Sequence, residues 1–479
     1  MIEHVCTIHP SFTQQLGIQG WSHLDPVLLA SLATESPLLL IGPHGTGKSL
    51  LIERLSDALY VIMRHYNAAL INYDDIVGIP LLNEAGTKLE FHRTEATIWD
   101  AEFVFLDEIS RCRPDMQNKL FPIIHERRVL GMKLKSLRHR WAAMNPPMPD
   151  TLDHVASPAK MYYGSEPLDP ALTDRFPFII AVPHWGELSR EARIEIVLSE
   201  PNAYQSTLVD LPALVGQCVD LIPSLREDIK SWLGDYVISA IDLLEQAQLE
   251  QSPRRANMLA QAIIAVHAAR CVLIGADADP EISAELALTY CIPQTASEVP
   301  PSRLKLVAIH RQAWERAALA EDDSWRIVLE EYDPARRVAL ADSMGFSDAD
   351  LSRLITQTIS KEPSDARQVG LATAMFLAFS PRRNLDASAY EPLAQLANYV
   401  LAPRNINTGF PPNSQEASLW KEIKEWIENQ WDRAESFRFR LERNYLLHGM
   451  PKLWQSTNWQ EALHTFREDC GLFGIQEAE

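Results

Sequence analysis

The chain has 479 residues, 46% hydrophobic and 23% charged, the balance of a globular protein with two or three cores rather than of a disordered or fibrous chain. No apolar run in the sequence is long enough for a bilayer, and Met1-Ile2-Glu3-His4 lacks the basic and apolar regions of a signal peptide, so the expectation is a cytoplasmic protein without a membrane span. Net charge is −20; residues 301–479 carry 21 basic and 26 acidic side chains, which leaves −15 on the first 300 and argues against nucleic acid as a partner.

Six scattered cysteines (Cys6, Cys112, Cys218, Cys271, Cys291, Cys470) form no C-x-x-C pair, which argues against a zinc ribbon or a disulfide frame and for buried reduced thiols. Ile18-Gln19-Gly20 reads equally as a surface turn or as a cover over a nucleotide base. Asp25-Pro26 predicts an N-cap and first-turn proline for a helix through Leu32. Leu38 to Ile41 is a short apolar run, the mark of a buried parallel strand. Gly42-Pro43-His44-Gly45-Thr46-Gly47-Lys48-Ser49 then fits G-x-x-x-x-G-K-[ST] without departure. The glycines let successive N–H groups converge on phosphate oxygens, Lys48 brings charge to the β- and γ-phosphates, and the Ser49 hydroxyl is a Mg²⁺ ligand. Leu50 to Leu55 opens a helix whose N-terminal end faces the anion. ATP and Mg²⁺ are the expected cofactors.

Ile79 to Leu82 and Lys88 to Phe91, around a turn with Gly86, predict a hairpin. Phe103-Val104-Phe105-Leu106-Asp107-Glu108 is a buried strand that delivers two acids to the carboxyl edge of a parallel sheet, where ligands of such sheets bind. Asp107, 59 residues beyond Lys48, is the second expected Mg²⁺ ligand, and Glu108 the base that polarises or orients the attacking water.

Asp107-Glu108-Ile109-Ser110-Arg111, followed by Gln117 to Leu120 and by His125-Glu126-Arg127-Arg128-Val129, resembles the MoxR branch of the AAA+ ATPases. The hairpin at 79–91 resembles the insert in helix 2 that defines the wider clade, and an extended pair around Gly131 resembles its hairpin before sensor 1. The resemblance covers roughly residues 15–300. It implies an α/β AAA+ P-loop core, a parallel sheet with flanking helices and hairpin inserts, over residues 1–184; an α-helical lid over 185–300; and a mainly α-helical C-terminal domain over 301–479.

By the same resemblance Asn145, closing the strand that begins at Arg140, is sensor 1; an Asn-Pro turn is the plainer reading. Arg175 is the arginine finger, serving the neighbouring subunit in trans, unless it pairs locally with Asp174 or Asp169. Ser252-Pro253-Arg254-Arg255 supplies sensor 2, assigned to Arg254 with Arg255 as the alternative, while a second Ser380-Pro381-Arg382-Arg383 shows how little four residues prove. The basic side chains Arg127, Arg128, Lys133, Lys135, Arg138 and Arg140 read as a solvated hairpin, or else as part of a subunit interface or central pore. Prolines 293, 300 and 301 mark the expected end of the lid. Beyond it Leu419, Trp420, Ile423, Trp426, Trp431, Phe437, Leu441 and Tyr445 form one stripe on a long amphipathic helix, either core or docking surface.

Taken together, the resemblance implies an ATP-hydrolysing ring, a hexamer, that activates, assembles or remodels a separate client protein. In this family the client is often a protein with a VWA domain; Asp386 to Tyr390 here fails the metal motif of such a domain at its last position. The alternatives are a nucleic-acid-stimulated motor and a nucleotide-gated scaffold with little hydrolysis.

Overall fold

The structure is a computed structural model that describes residues 10–82, 87, 89–147, 168–199, 209–297, 299–319, 322–331, 333–402, 410–411, 414–430, 436–450, 454 and 457–475. The chain divides into two compact units, residues 1–318 and 319–479. Among the described residues of the first unit the strands are β1 (Leu38–Ile41), β2 (Met63–Asn67), β3 (Ile79–Leu82), β4 (Leu89–His92), β5 (Phe103–Asp107), β6 (Arg128–Val129), β7 (Met132–Lys133), β8 (His139–Met144) and β9 (Phe178–Ala181).

Five of them form one sheet in the order β2-β5-β8-β1-β9, with every neighbouring pair parallel. Parallel strands covered on both faces must be apolar on both, which is why the central runs are unbroken. Leu38 and Leu40 join Phe103, Phe105 and Trp141 in one core. Leu39 and Ile41 join Val104, Leu106 and Met144 in the other. The first core continues into the lid, because the helix Asp25–Ala33, which leads into β1, packs on the long helix Pro253–Ile274.

Asp25 is not the free N-cap that the sequence suggests. Its buried carboxylate accepts hydrogen bonds from Phe12 N (3.0 Å) and Thr13 Oγ1 (2.6 Å), tying the N-terminal segment to the helix. Burial pushes this acid up to about 6 even against those bonds.

Both hairpins form: β3 pairs antiparallel with β4, and β6 with β7. Residues 83–86 and 88 of the first turn lie outside the described residues. The second turn puts Leu130 (φ 48°) and Gly131 (φ 78°) in the left-handed region, the mirror-type turn that suits strand twist.

The stretch expected as the lid comprises the helices Arg190–Leu198, Leu211–Asp228, Lys230–Gln246, Pro253–Ile274 and Pro280–Tyr290. The first unit does not end at residue 300. The helix Arg303–Ala317 buries Leu306, Ile309 and Ala313 in the same core and sets Trp314 against Trp232, ring centroids 4.8 Å apart. Pro253–Ile274 is apolar and long enough to cross a membrane by length and composition; two-thirds of its most apolar window is buried inside the fold.

The second unit is helical among its described residues. Its core gathers Leu351, Ile355, Met375, Phe379, Leu393, Tyr445, Trp454, Trp459 and Phe466. The Trp-bearing stripe lies on two helices, Gln415–Asn429 and Phe437–His448, rather than one, and Trp431 lies outside the described residues. Trp426 meets Phe439 and Trp459. The second S-P-R-R is structural: Arg382 pairs with Asp342 at 2.7 Å, and Arg383 with Asp342 (2.8 Å) and Asp348 (3.1 Å).

Candidate nucleotide site

Between β1 and the helix Lys48–Leu59 the chain turns through Gly45 (φ 76°) and Gly47 (φ 92°), angles that an L side chain rarely adopts. A Cβ at either glycine would have nothing within 4 Å, so the loop is open on that side. An open concavity of backbone donors at a helix N-terminus fits the triphosphate of ATP. Lys48 is buried; its Nζ donates to the loop's own carbonyls, Gly42 O at 2.7 Å and Pro43 O at 2.9 Å. Burial lowers its proton affinity, partly offset by Asp107 and Glu108. Those carbonyl bonds are what a phosphate would replace.

The acids stand at the end of β5, which β8 separates from β1. Ser49 Oγ donates to Asp107 Oδ2 at 3.2 Å, bringing together the two expected Mg²⁺ ligands. Burial raises the proton affinity of Asp107, but His65 (Nε2 at 3.5 Å), the Glu108 N–H (2.9 Å) and Ser49 outweigh it and hold the carboxyl below its usual range. Among the described residues no group of three or more His, Cys, Asp or Glu is suited to a metal ion. The Ser49 hydroxyl and the Asp107 carboxylate would hold Mg²⁺, with phosphate and water completing its shell. His65, on β2, carried no sequence signal.

Glu108 follows Asp107 in the left-handed conformation (φ 55°), uncommon away from glycine. Its carboxylate takes Arg111 Nε at 2.9 Å, and Asn145 Nδ2 approaches both oxygens at 3.4 Å. Asn145 is buried just beyond β8, so the structure brings Lys48, Ser49, Asp107, Glu108 and Asn145 to one edge of the sheet.

Arg175 and Arg254 lie elsewhere. At its carboxyl end β9 meets the phosphate loop, with Val182 N donating to Ile41 O at 2.8 Å. Arg175 stands three residues before the other end of β9, where Phe178 pairs with Leu38. A four-residue strand is about 13 Å long, and Arg175 leads into β9 at the end opposite the phosphate loop. Arg254 shares the Arg175 end, through its 3.4 Å ion pair with Asp174. Arg255 is buried beneath it and donates to Phe176 O (2.8 Å), Cys291 O (3.1 Å) and Thr173 O (3.3 Å). His125, at the start of the His125-to-Val129 motif, lies in the field of both arginines; partial burial and then Arg254 and Arg175 push its pKa down.

The basic stretch divides in two. Arg127 and Arg138 clasp Glu35 at 2.7 and 2.8 Å, and Arg140 is buried on the carbonyls of Ile124 and Glu35. Arg128, Lys133 and Lys135 are exposed.

A parallel sheet of this order, with a phosphate loop after β1 and paired acids at the end of β5, one strand removed across β8, has the arrangement of a P-loop nucleotide-binding domain. More particularly, residues 37–176 match the AAA domain family, dynein-related subfamily. No curated protein matches the chain. The crystal structure of a candidate ATPase from Cytophaga hutchinsonii is 19% identical, with 92% of that chain covered and 62% of this one, at a TM-score of 0.46; that likeness is too distant to bear on the site.

Proposed function

We propose that this chain is an ATP-hydrolysing, MoxR-like subunit of a ring oligomer, a hexamer, that activates, assembles or remodels a separate client protein, with VWA-domain proteins as the first clients to try. The observation that carries the reading is the position of Arg175. A finger at the far end of its own sheet is useful only to a triphosphate held by another copy. Arg254, ion-paired with Asp174, is kept as the sensor 2 residue.

In this reading bound MgATP supplies the phosphoryl group and its charge. Gly42, Pro43, His44, Gly45, Thr46 and Gly47 cradle the phosphates, Lys48 leaves its carbonyls for them, and Ser49 and Asp107 hold the metal. Glu108 and Asn145 hold and orient the attacking water. Water attack then depends on a neighbour's guanidinium, so turnover depends on assembly.

Subunit mixing tests this. Glu108→Gln and Arg175→Ala are each expected to lose most of their turnover, with a measurable residue in Arg175→Ala, while still binding ATP. Mixed one to one they regain part of it, because a Glu108→Gln subunit still offers a finger to a neighbour with an intact base. No recovery on mixing, or full activity of either variant alone, overturns the reading. Stimulation by DNA or RNA but by no protein moves it to a nucleic-acid motor, and tight ATP binding without turnover under any condition moves it to a scaffold.

A further inference from the structure

Arg175 stands next to one carboxylate and six residues from another, and pairs with neither. Asp169 caps its own short helix, accepting from Ala171 N at 2.7 Å. Asp174 is held by the lid: Ser252 Oγ at 3.3 Å, Arg254 at 3.4 Å and Arg255 at 3.5 Å. Among the described residues no carboxylate forms an ion pair with Arg175. Its guanidinium instead donates to the Ala171 carbonyl and lies over the ring of Phe121, 4.6 Å from the centroid.

The choice of partner matters for a finger. A carboxylate neutralises a guanidinium and fills its donor fork, and both must be undone before a phosphate is met. An aromatic face attracts the cation through its quadrupole, fixes the plane and leaves donors at the rim. Phe121 is well placed to do this. It is the last residue of the helix Pro114–Phe121, half-buried against the core on the side away from the sheet's first helix.

We propose that Phe121 is a positioning residue for Arg175, holding the finger extended and uncompensated toward the triphosphate of a second copy of this chain, while the lid keeps Asp174 away from it. This rests on the reading that Arg175 acts in trans.

The test compares Phe121→Leu with Phe121→Tyr in the full-length protein. Leu keeps the apolar bulk and loses the π face; Tyr keeps both. Phe121→Leu is expected to lower kcat about three- to tenfold with KM for ATP unchanged, the range a cation–π contact supports. Phe121→Tyr is expected to turn over as wild type, and Phe121→Leu to cost nothing further in an Arg175→Ala background. Should Phe121→Leu fail to fold, Phe121→Met replaces it. Wild-type kcat in the Leu variant, an equal loss in the Tyr variant, or an additive loss with Arg175→Ala overturns the inference. An Arg175→Ala protein that is itself fully active fails the trans reading instead, so the two failures are distinguishable.

Discussion

Glu108 Oε2 and Arg111 Nε are 2.9 Å apart, an ion pair between the carboxylate expected to activate water and a cation one turn further on. A carboxylate whose lone pair is engaged by a guanidinium is a weaker acceptor for a water proton. Arg111 is 39% exposed, so the pair is partly screened and its effect modest. Arg111→Gln is expected to raise unstimulated turnover about two- to fivefold, with KM for ATP unchanged. Steady-state kinetics at saturating ATP read this directly; a fall in kcat would mean that Arg111 supports Glu108 rather than restrains it.

Arg254 and Arg255 are adjacent in sequence and opposite in consequence. Truncating Arg255 strands three buried carbonyls, those of Phe176, Cys291 and Thr173. Arg255→Met is therefore expected to destabilise the first unit by about 2–4 kcal/mol, visible as a lower melting temperature. Arg254→Met, at an exposed ion pair, is expected to leave melting within about 0.5 kcal/mol of wild type and to lower kcat. Calorimetry and ATPase rates on both variants separate the two.

What sequence made readable was what local backbone chemistry makes. The loop from Gly42 to Ser49 and the run ending in Asp107-Glu108 need only neighbours in the chain, and both stand where expected. Which of two adjacent arginines turns inward depends on what the helix packs against, and Phe121 beneath Arg175 depends on two segments 54 residues apart. Prolines 293 to 301 mark a turn, not the end of a unit, because Ile309 and Trp314 return to the lid core. The single long helix from Leu419 to Tyr445 was an artefact of periodicity: two successive helices that face one core carry the same spacing through the break.

Gly78 leaves no room for a side chain. Its φ is +88°, and an added Cβ would lie 2.2 Å from the His92 carbonyl oxygen on β4, a backbone atom that cannot swing aside. Gly78→Ala therefore forces the base of the β3–β4 hairpin apart, at a cost of about 2–3 kcal/mol. Amide exchange of Ile79, Leu81 and Leu82 is expected to accelerate in this variant, while that of β1 and β5 is unchanged.

The second unit carries an acid whose titration sets its stability near neutrality. Asp469 is buried, with Arg367 3.6 Å away and the carboxylates of Asp333 and Glu362 facing the same guanidinium. Tyr445 and Cys470, also beside it, are both pushed up by their own burial and stay neutral over the range that matters. Burial is the largest influence on Asp469; Arg367 opposes it and the two other acids add to it, so the carboxyl titrates at about 6, against 3.8 when unfolded. A folded value above the unfolded one means that the native state binds the extra proton between them. The associated stability is then complete below about pH 4 and lost as pH rises through about 6. The difference corresponds to about 3 kcal/mol at most by pH 7. Asp333, held low by its partners, works in the opposite sense but in a more acid window. Amide exchange across Trp459–Leu472 in the full chain, corrected for intrinsic rates, is expected to show greater protection at pH 5 than at pH 7.5. Asp469→Asn cannot ionise, so its protection should no longer differ between those two pH values; a pH response as large as wild type in that variant would place the titration on another group.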